Sequence, residues 1–74
     1  MEKLFLEIEE ESIRLDHLLQ IACIAMSGGQ AGQMIKQGLV KINDQIVNEK
    51  RKKIFVKDKI IFNDNYLLEL RPKI

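Results

Sequence analysis

The sequence predicts an α+β domain in which an αα-hairpin packs on a small, mostly antiparallel β-sheet. Three observations lead there. Apolar residues between Ile13 and Met26 recur at three- and four-residue steps, the spacing of an amphipathic helix. A second helical run, from Gly28 to about Gln37, follows so closely that the two must fold back on each other. Beyond Gly38 the pattern changes to short alternating segments separated by Asn/Asp turn signals, which read as strands and hairpins.

Taken in order, "KLFLEI" at Lys3–Ile8 places Leu4, Leu6 and Ile8 on one face of an extended segment. Phe5 gives the other face apolar character, so the strand reads as partly covered on both sides. Ser12 reads as the N-cap of the first helix, whose apolar face comprises Ile13, Leu15, Leu18, Leu19, Ala22, Ala25 and Met26. Asp16 falls in its first turn, where a negative charge suits the helix dipole. Ser27 caps the second helix, Ala31, Met34 and Ile35 line its buried side, and Gly38 stands at the left-handed position after its end. "LVKI" alternates Leu39 and Lys41 against Val40 and Ile42, Asn43-Asp44 makes the turn, and "QIV" returns. Asn48–Lys53 reads as a polar loop, Lys59–Phe62 as a strand, Asn63–Asn65 as a turn, and "YLLEL" as the last strand before Arg71-Pro72.

Seventy-four residues make one domain, residues 1–74. A chain this short buries only about 60% of its unfolded surface, so a large enclosed active-site cavity is not expected. With 46% apolar and 31% charged residues the composition is globular. The single cysteine, Cys23, excludes an internal disulfide framework and fits a reducing compartment. No run of 18 apolar residues occurs and the N-terminus is acidic where a signal peptide is basic, so no membrane association and a cytoplasmic location are expected. Residues 1–33 carry two basic and six acidic residues, a net −4; residues 34–74 carry ten and five, a net +5. Charge segregated in this way suggests a basic face for a polyanion.

Catalysis and metal binding find no support in the residues. His17 and Cys23 are the only imidazole and thiol, and six residues apart on one helix they do not share a face. His17 reads as a helix-surface residue and Cys23 as a small, partly buried hydrophobe. "SGGQAG" has neither the glycine order of a dinucleotide site nor the Lys-Ser/Thr of a phosphate-binding loop. No cofactor or metal is implied and no enzyme activity is expected. Anion binding at the second helix is favoured instead. Unpaired amides at a helix start, together with the dipole, hold a phosphate without a charged side chain, and Ser27, Gly28 and Gly29 lie at such a start. Lys36 lies two turns on. Lys50, Arg51, Lys52 and Lys53 form a second basic element that can bridge several phosphates, with Lys41 on the preceding strand. Aromatic residues for stacking on bases are scarce, which points to recognition of the shape and backbone of folded RNA.

The order of "IRLDHLL" (Ile13–Leu19), "SGGQAGQMIKQGLVKIND" (Ser27–Asp44), "QIV" and "VKDKI" (Val56–Ile60) resembles the RNA-binding domain named after ribosomal small-subunit protein four, the alpha-L motif. Arg14-Leu15-Asp16, Ala31, Ile35, Gly38, Val40, Ile42-Asn43 and Asp58 match that family's usual pattern, over a motif core of about residues 12–62. Gly28-Gly29, where most members have arginine after the serine, looks like the small stand-alone branch of the YbcJ/YaaA type. Gly32 stands where that branch often has lysine, Asp44 where the turn glycine is usual, and Lys57 where the glycine of Gly-Asp is usual.

The resemblance implies a non-catalytic RNA-binding module for structured RNA of the ribosomal or transfer class, with ribosome assembly or translation as its setting. It implies an RNA-facing surface of Arg14, Ser27, Gly28, Gly29, Gln30, Gln33, Lys36, Lys41, Lys50, Arg51, Lys52 and Lys53. Two other readings remain open at this level. One is a protein-interaction adapter whose acidic half docks a ribosomal protein. The other is an accessory RNA-binding subunit of an RNA-modifying enzyme.

Overall fold

The computed structural model describes residues 1–73. In chain order its elements are β1 (Glu2–Ile8), β2 (Ser12–Arg14), α1 (Leu15–Ile21), α2 (Gly28–Lys36), β3 (Val40–Ile42), β4 (Gln45–Ile46), β5 (Lys53–Phe55), β6 (Ile60–Phe62) and β7 (Tyr66–Pro72). Five strands form one sheet in the order β1-β7-β6-β3-β4, and β2 pairs with β5 in a separate ribbon. Every pairing is antiparallel except β1 with β7, which run parallel. The α+β class and the mostly antiparallel sheet therefore hold, with one parallel pair between the first and last strands.

The first helix departs from expectation at both ends. Ser12 is no N-cap: it lies in β2, whose Ile13 pairs with the fully buried Ile54 of β5. The helix starts three residues later, at Leu15, and its first-turn amides find acceptors in the loop that follows β4. Leu15 N donates to Lys52 O at 3.0 Å and Asp16 N to Lys50 O at 2.9 Å. Those carbonyls replace a side-chain cap, which Arg14 does not supply. At the other end Cys23 adopts φ 61°, and Leu19 O accepts the amides of both Ile24 and Ala25 at 3.0 Å. A left-handed residue just past the helix end closes the helix in this way. Ala25 still reaches the core from the loop, but Met26 is 93% exposed and so leaves the apolar face expected of it, and Cys23 is exposed where a partly buried residue was expected.

The second helix forms where the sequence places it. Ser27 is extended, and its Oγ accepts from Gln30 N at 3.1 Å. Gln30 Oε1 reaches back to Met26 N, so the two side chains secure the entry to the helix reciprocally. Gly38, at φ +76°, stops the helix. Asn43 (φ 52°) and Asp44 (φ 70°) make the two-residue turn between β3 and β4, as the twist of a hairpin requires. The Asn43 side chain also accepts from Lys59 N and donates to Asp58, which ties this turn to the start of β6. Asn63 and Asp64 repeat the left-handed pair between β6 and β7.

One core unites these parts. Leu15, Leu18 and Leu19 of α1, Ala31 and Ile35 of α2, Val40 and Ile42 of β3, Ile54, Ile60, Phe62, Leu68 and Leu70 pack together. Each fully buried Leu or Ile contributes roughly 1.5–3 kcal/mol relative to exposure. The helices thus cover one face of the five-stranded sheet. Phe5, placed on the opposite face, is exposed and stacks under the Arg71 guanidinium at 4.3 Å. The face opposite the helices is therefore open at β1, where the sequence suggested cover on both sides. The last strand also runs through Arg71 to Pro72. Pro72, which has no N–H to donate, is its last residue.

Candidate nucleic-acid interface

Ala31 and Ile35 turn one face of α2 into the core, which leaves Gly29, Gln33 and Lys36 as an exposed stripe at helical spacing. At the start of α2, Gln30 N is held by Ser27 Oγ and Ala31 N by Ser27 O. The amides of Gly28 and Gly29 have no protein acceptor among the described residues. Two free donors at the positive end of a nine-residue helix have the chemistry to donate to an anion. The Gln20 side-chain amide stands beside them, with Nε2 3.5 Å from where a Cβ on Gly28 would lie. Sequence reasoning did not include Gln20; its signal was a polar, exposed position on the last turn of α1.

Lys50 Cδ lies 3.4 Å from the position of a Cβ on Gly32, so the lysine stem crosses α2 at that residue. Gly32 is one turn before Lys36 on the same face. The crossing brings the start of the basic run onto the exposed side of α2. It is fixed from behind as well, because the backbone carbonyls of Lys50 and Lys52 hold the first turn of α1.

The rest of the run fans out. Lys52 lines a groove beside the β3–β4 turn, with Asn43, Gln45 and Asn48. Lys53 sits opposite Arg14 in the β2–β5 ribbon. Both line an open groove of about 680 Å³ that Glu7, Glu9, Glu10 and Lys73 line as well, and its carboxylates oppose a phosphate.

Arg14 is also engaged internally. Its Nε and Nη2 donate to the two oxygens of Asp16 at 3.0 and 2.8 Å. Asp16 is 4% exposed and also accepts from His17 N at 2.8 Å. The Arg14 hydrogen bonds hold the Asp16 carboxyl below the usual carboxylate range. Burial opposes them, while the His17 amide and the charges of Arg14 and Lys50 act in the same direction. Arg14 therefore serves first as the partner that allows a buried carboxylate at the helix start.

Lys41 does not join the patch. Its neighbours Val40 and Ile42 face the helices, so Lys41 points to the other side of the sheet, where it pairs with Asp64 at 3.3 Å. Of the residues the sequence singled out, the structure unites Ser27, Gly28, Gly29, Gln33, Lys36 and Lys50 around α2. Gln30 secures the helix entry, Arg51 and Lys52 lie along the loop, and Arg14, Lys53 and Lys41 lie elsewhere.

This arrangement is that of a known class of domain. The chain matches the S4 domain family over residues 6–68 and belongs to it. Family membership supports a general RNA-binding module. Among solved structures, the crystal structure of a pseudouridylate synthase is similar at 36% identity and a TM-score of 0.71, over 78% of this chain and 24% of that one. The chain thus aligns with about a quarter of that enzyme's length. No curated protein matches the chain. No helix among the described residues is long and apolar enough to cross a membrane.

Proposed function

We propose that the chain is a non-catalytic module that grips structured RNA, of the ribosomal or transfer class, by its phosphate backbone. Ribosome assembly or translation is the setting this reading favours. The Gly28 and Gly29 amides seat one phosphate, and Lys36, Lys50, Arg51 and Lys52 hold its neighbours. The observation that carries the proposal is the crossing of Lys50 over Gly32, which joins the open helix start and the basic run into one surface.

Affinity built on phosphate contacts falls steeply with salt, by close to one power of the salt concentration per contact. Replacing Lys50, Arg51, Lys52 and Lys53 with alanine should weaken binding to total cellular RNA and flatten that dependence. Lys41→Ala is the control and should change neither. Equal binding by the alanine variant, with its circular dichroism intact, would show that the surface is wrongly assigned.

The likeness to a pseudouridylate synthase favours one further reading, in which this domain presents RNA to an RNA-modifying enzyme on a second chain. In that case RNA affinity rises on adding the second chain, and activity belongs to the pair.

A further inference from the structure

The seven residues of β1 form one edge of the five-stranded sheet. Glu2 N donates to Asn65 O at 2.8 Å, and Ile8 O accepts from Lys73 N at 2.9 Å. With the parallel register of β1 and β7, these bonds assign the even-numbered residues to the β7 side. The amides and carbonyls of Lys3, Phe5 and Glu7 therefore point outward, along an edge with no partner among the described residues. Such an edge is a template for another strand.

The sequence along the edge selects which strand. We propose that β1 pairs antiparallel with β1 of a second copy of this chain, about a two-fold axis at Phe5. In that register Lys3 of each copy faces Glu7 of the other, Phe5 faces Phe5, and Leu4 faces Leu6. The residues whose backbone groups point outward are then the ones that exchange both hydrogen bonds with their opposites. Other registers that use the same outward groups lose this complementarity. They set Lys3 against Phe5, Phe5 against Glu7, or like charges against each other. The side chains fit as well. Phe5 is 52% exposed beneath Arg71, and Leu4 and Leu6 are only half-buried, so pairing covers apolar surface on both faces of the joint. The result is one continuous sheet with a self-complementary interface, on the opposite edge of the sheet from β4.

Charge exchange tests the register, with sedimentation velocity from micromolar to submillimolar concentration as the readout. The unmodified chain should form dimers in a concentration-dependent way. Lys3→Glu or Glu7→Lys alone should weaken association about tenfold, since each turns two attractive cross-strand pairs repulsive. Mixing the two single variants, or combining K3E and E7K in one chain, should restore it. A monomer at all concentrations overturns the proposal, and so does a dimer that Lys3→Glu leaves unchanged or that the combined exchange fails to restore. A measurement on the unmodified chain stands independently of any variant. Hydrogen exchange at the Lys3, Phe5 and Glu7 amides should slow as concentration rises, and concentration-independent exchange there contradicts the pairing.

Discussion

Replacing Gly32 with alanine changes two quantities that the structure separates. Gly32 lies inside α2, where glycine is less favourable than alanine by about 0.8–1 kcal/mol. Against that stands the new methyl, which would meet Lys50 Cδ at 3.4 Å. That atom belongs to a flexible, exposed stem that can move by a few tenths of an ångström. The expected net effect is a stabilisation of about 0.5–1 kcal/mol, or a rise in Tm of roughly 2–8 °C for a domain of this size. Thermal unfolding by circular dichroism, with urea titration as a second probe, measures it. The same substitution in a Lys50→Ala background isolates the contact: neighbouring residues can couple by about 0.5–3 kcal/mol, and a stem that yields freely keeps the coupling at the low end of that range. A lower Tm for Gly32→Ala that recovers in the Lys50→Ala background would show that the lysine stem is rigidly seated. An equal loss in both backgrounds would refute the reasoning that alanine is accommodated at this position.

Gly38→Ala should act in the opposite direction. A Cβ there has room, with Ile46 Cγ2 3.7 Å away, but the residue sits at φ +76°. The strain of a left-handed alanine costs about 1–2 kcal/mol, read as a fall in Tm. Asp16 should give the fold an acid-sensitive contribution. Its folded pKa is lowered, so the stabilisation is fully present above the unfolded value of about 3.9 and is lost as pH falls through the folded value. The stability difference between the unmodified chain and Asp16→Asn should therefore be flat above about pH 5 and shrink below about pH 4. A difference that grows on acidification would reverse the assignment.

The parts of the fold that were legible in the sequence are those set by local chemistry. Ser27 before a helical run, Gly38 after it, and the Asn43-Asp44 and Asn63-Asp64 turns each carry their conformation in a few adjacent residues. The parts that were not legible depend on distant partners. Ser12 has the chemistry of a cap, but the pairing of Ile13 with Ile54 makes it a strand residue, and carbonyls from the basic loop take over the capping. The parallel pairing of β1 with β7 joins the two ends of the chain, which no local pattern records. In the candidate site, the open amides of Gly28 and Gly29 followed from the position of Ser27. The approach of Lys50 to Gly32 did not, because the two lie 18 residues apart in the chain. Lys41 is a different case: the alternation of "VKI" itself puts it on the face away from Val40 and Ile42, whatever its charge.

The central claim is that one surface, made by the start of α2 and the Lys50 loop, meets the phosphates of RNA. Amide chemical shifts of the isotope-labelled chain, followed during titration with a structured RNA, test it directly. The Gly28 and Gly29 amides should move most, as their free donors gain phosphate acceptors, together with Gly32, Lys36 and Lys50 to Lys52. The amides of Phe5, Ile61 and Leu67, on the far face of the sheet, should stay in place. Shifts concentrated on that far face, with Gly28 and Gly29 unmoved, would contradict the account.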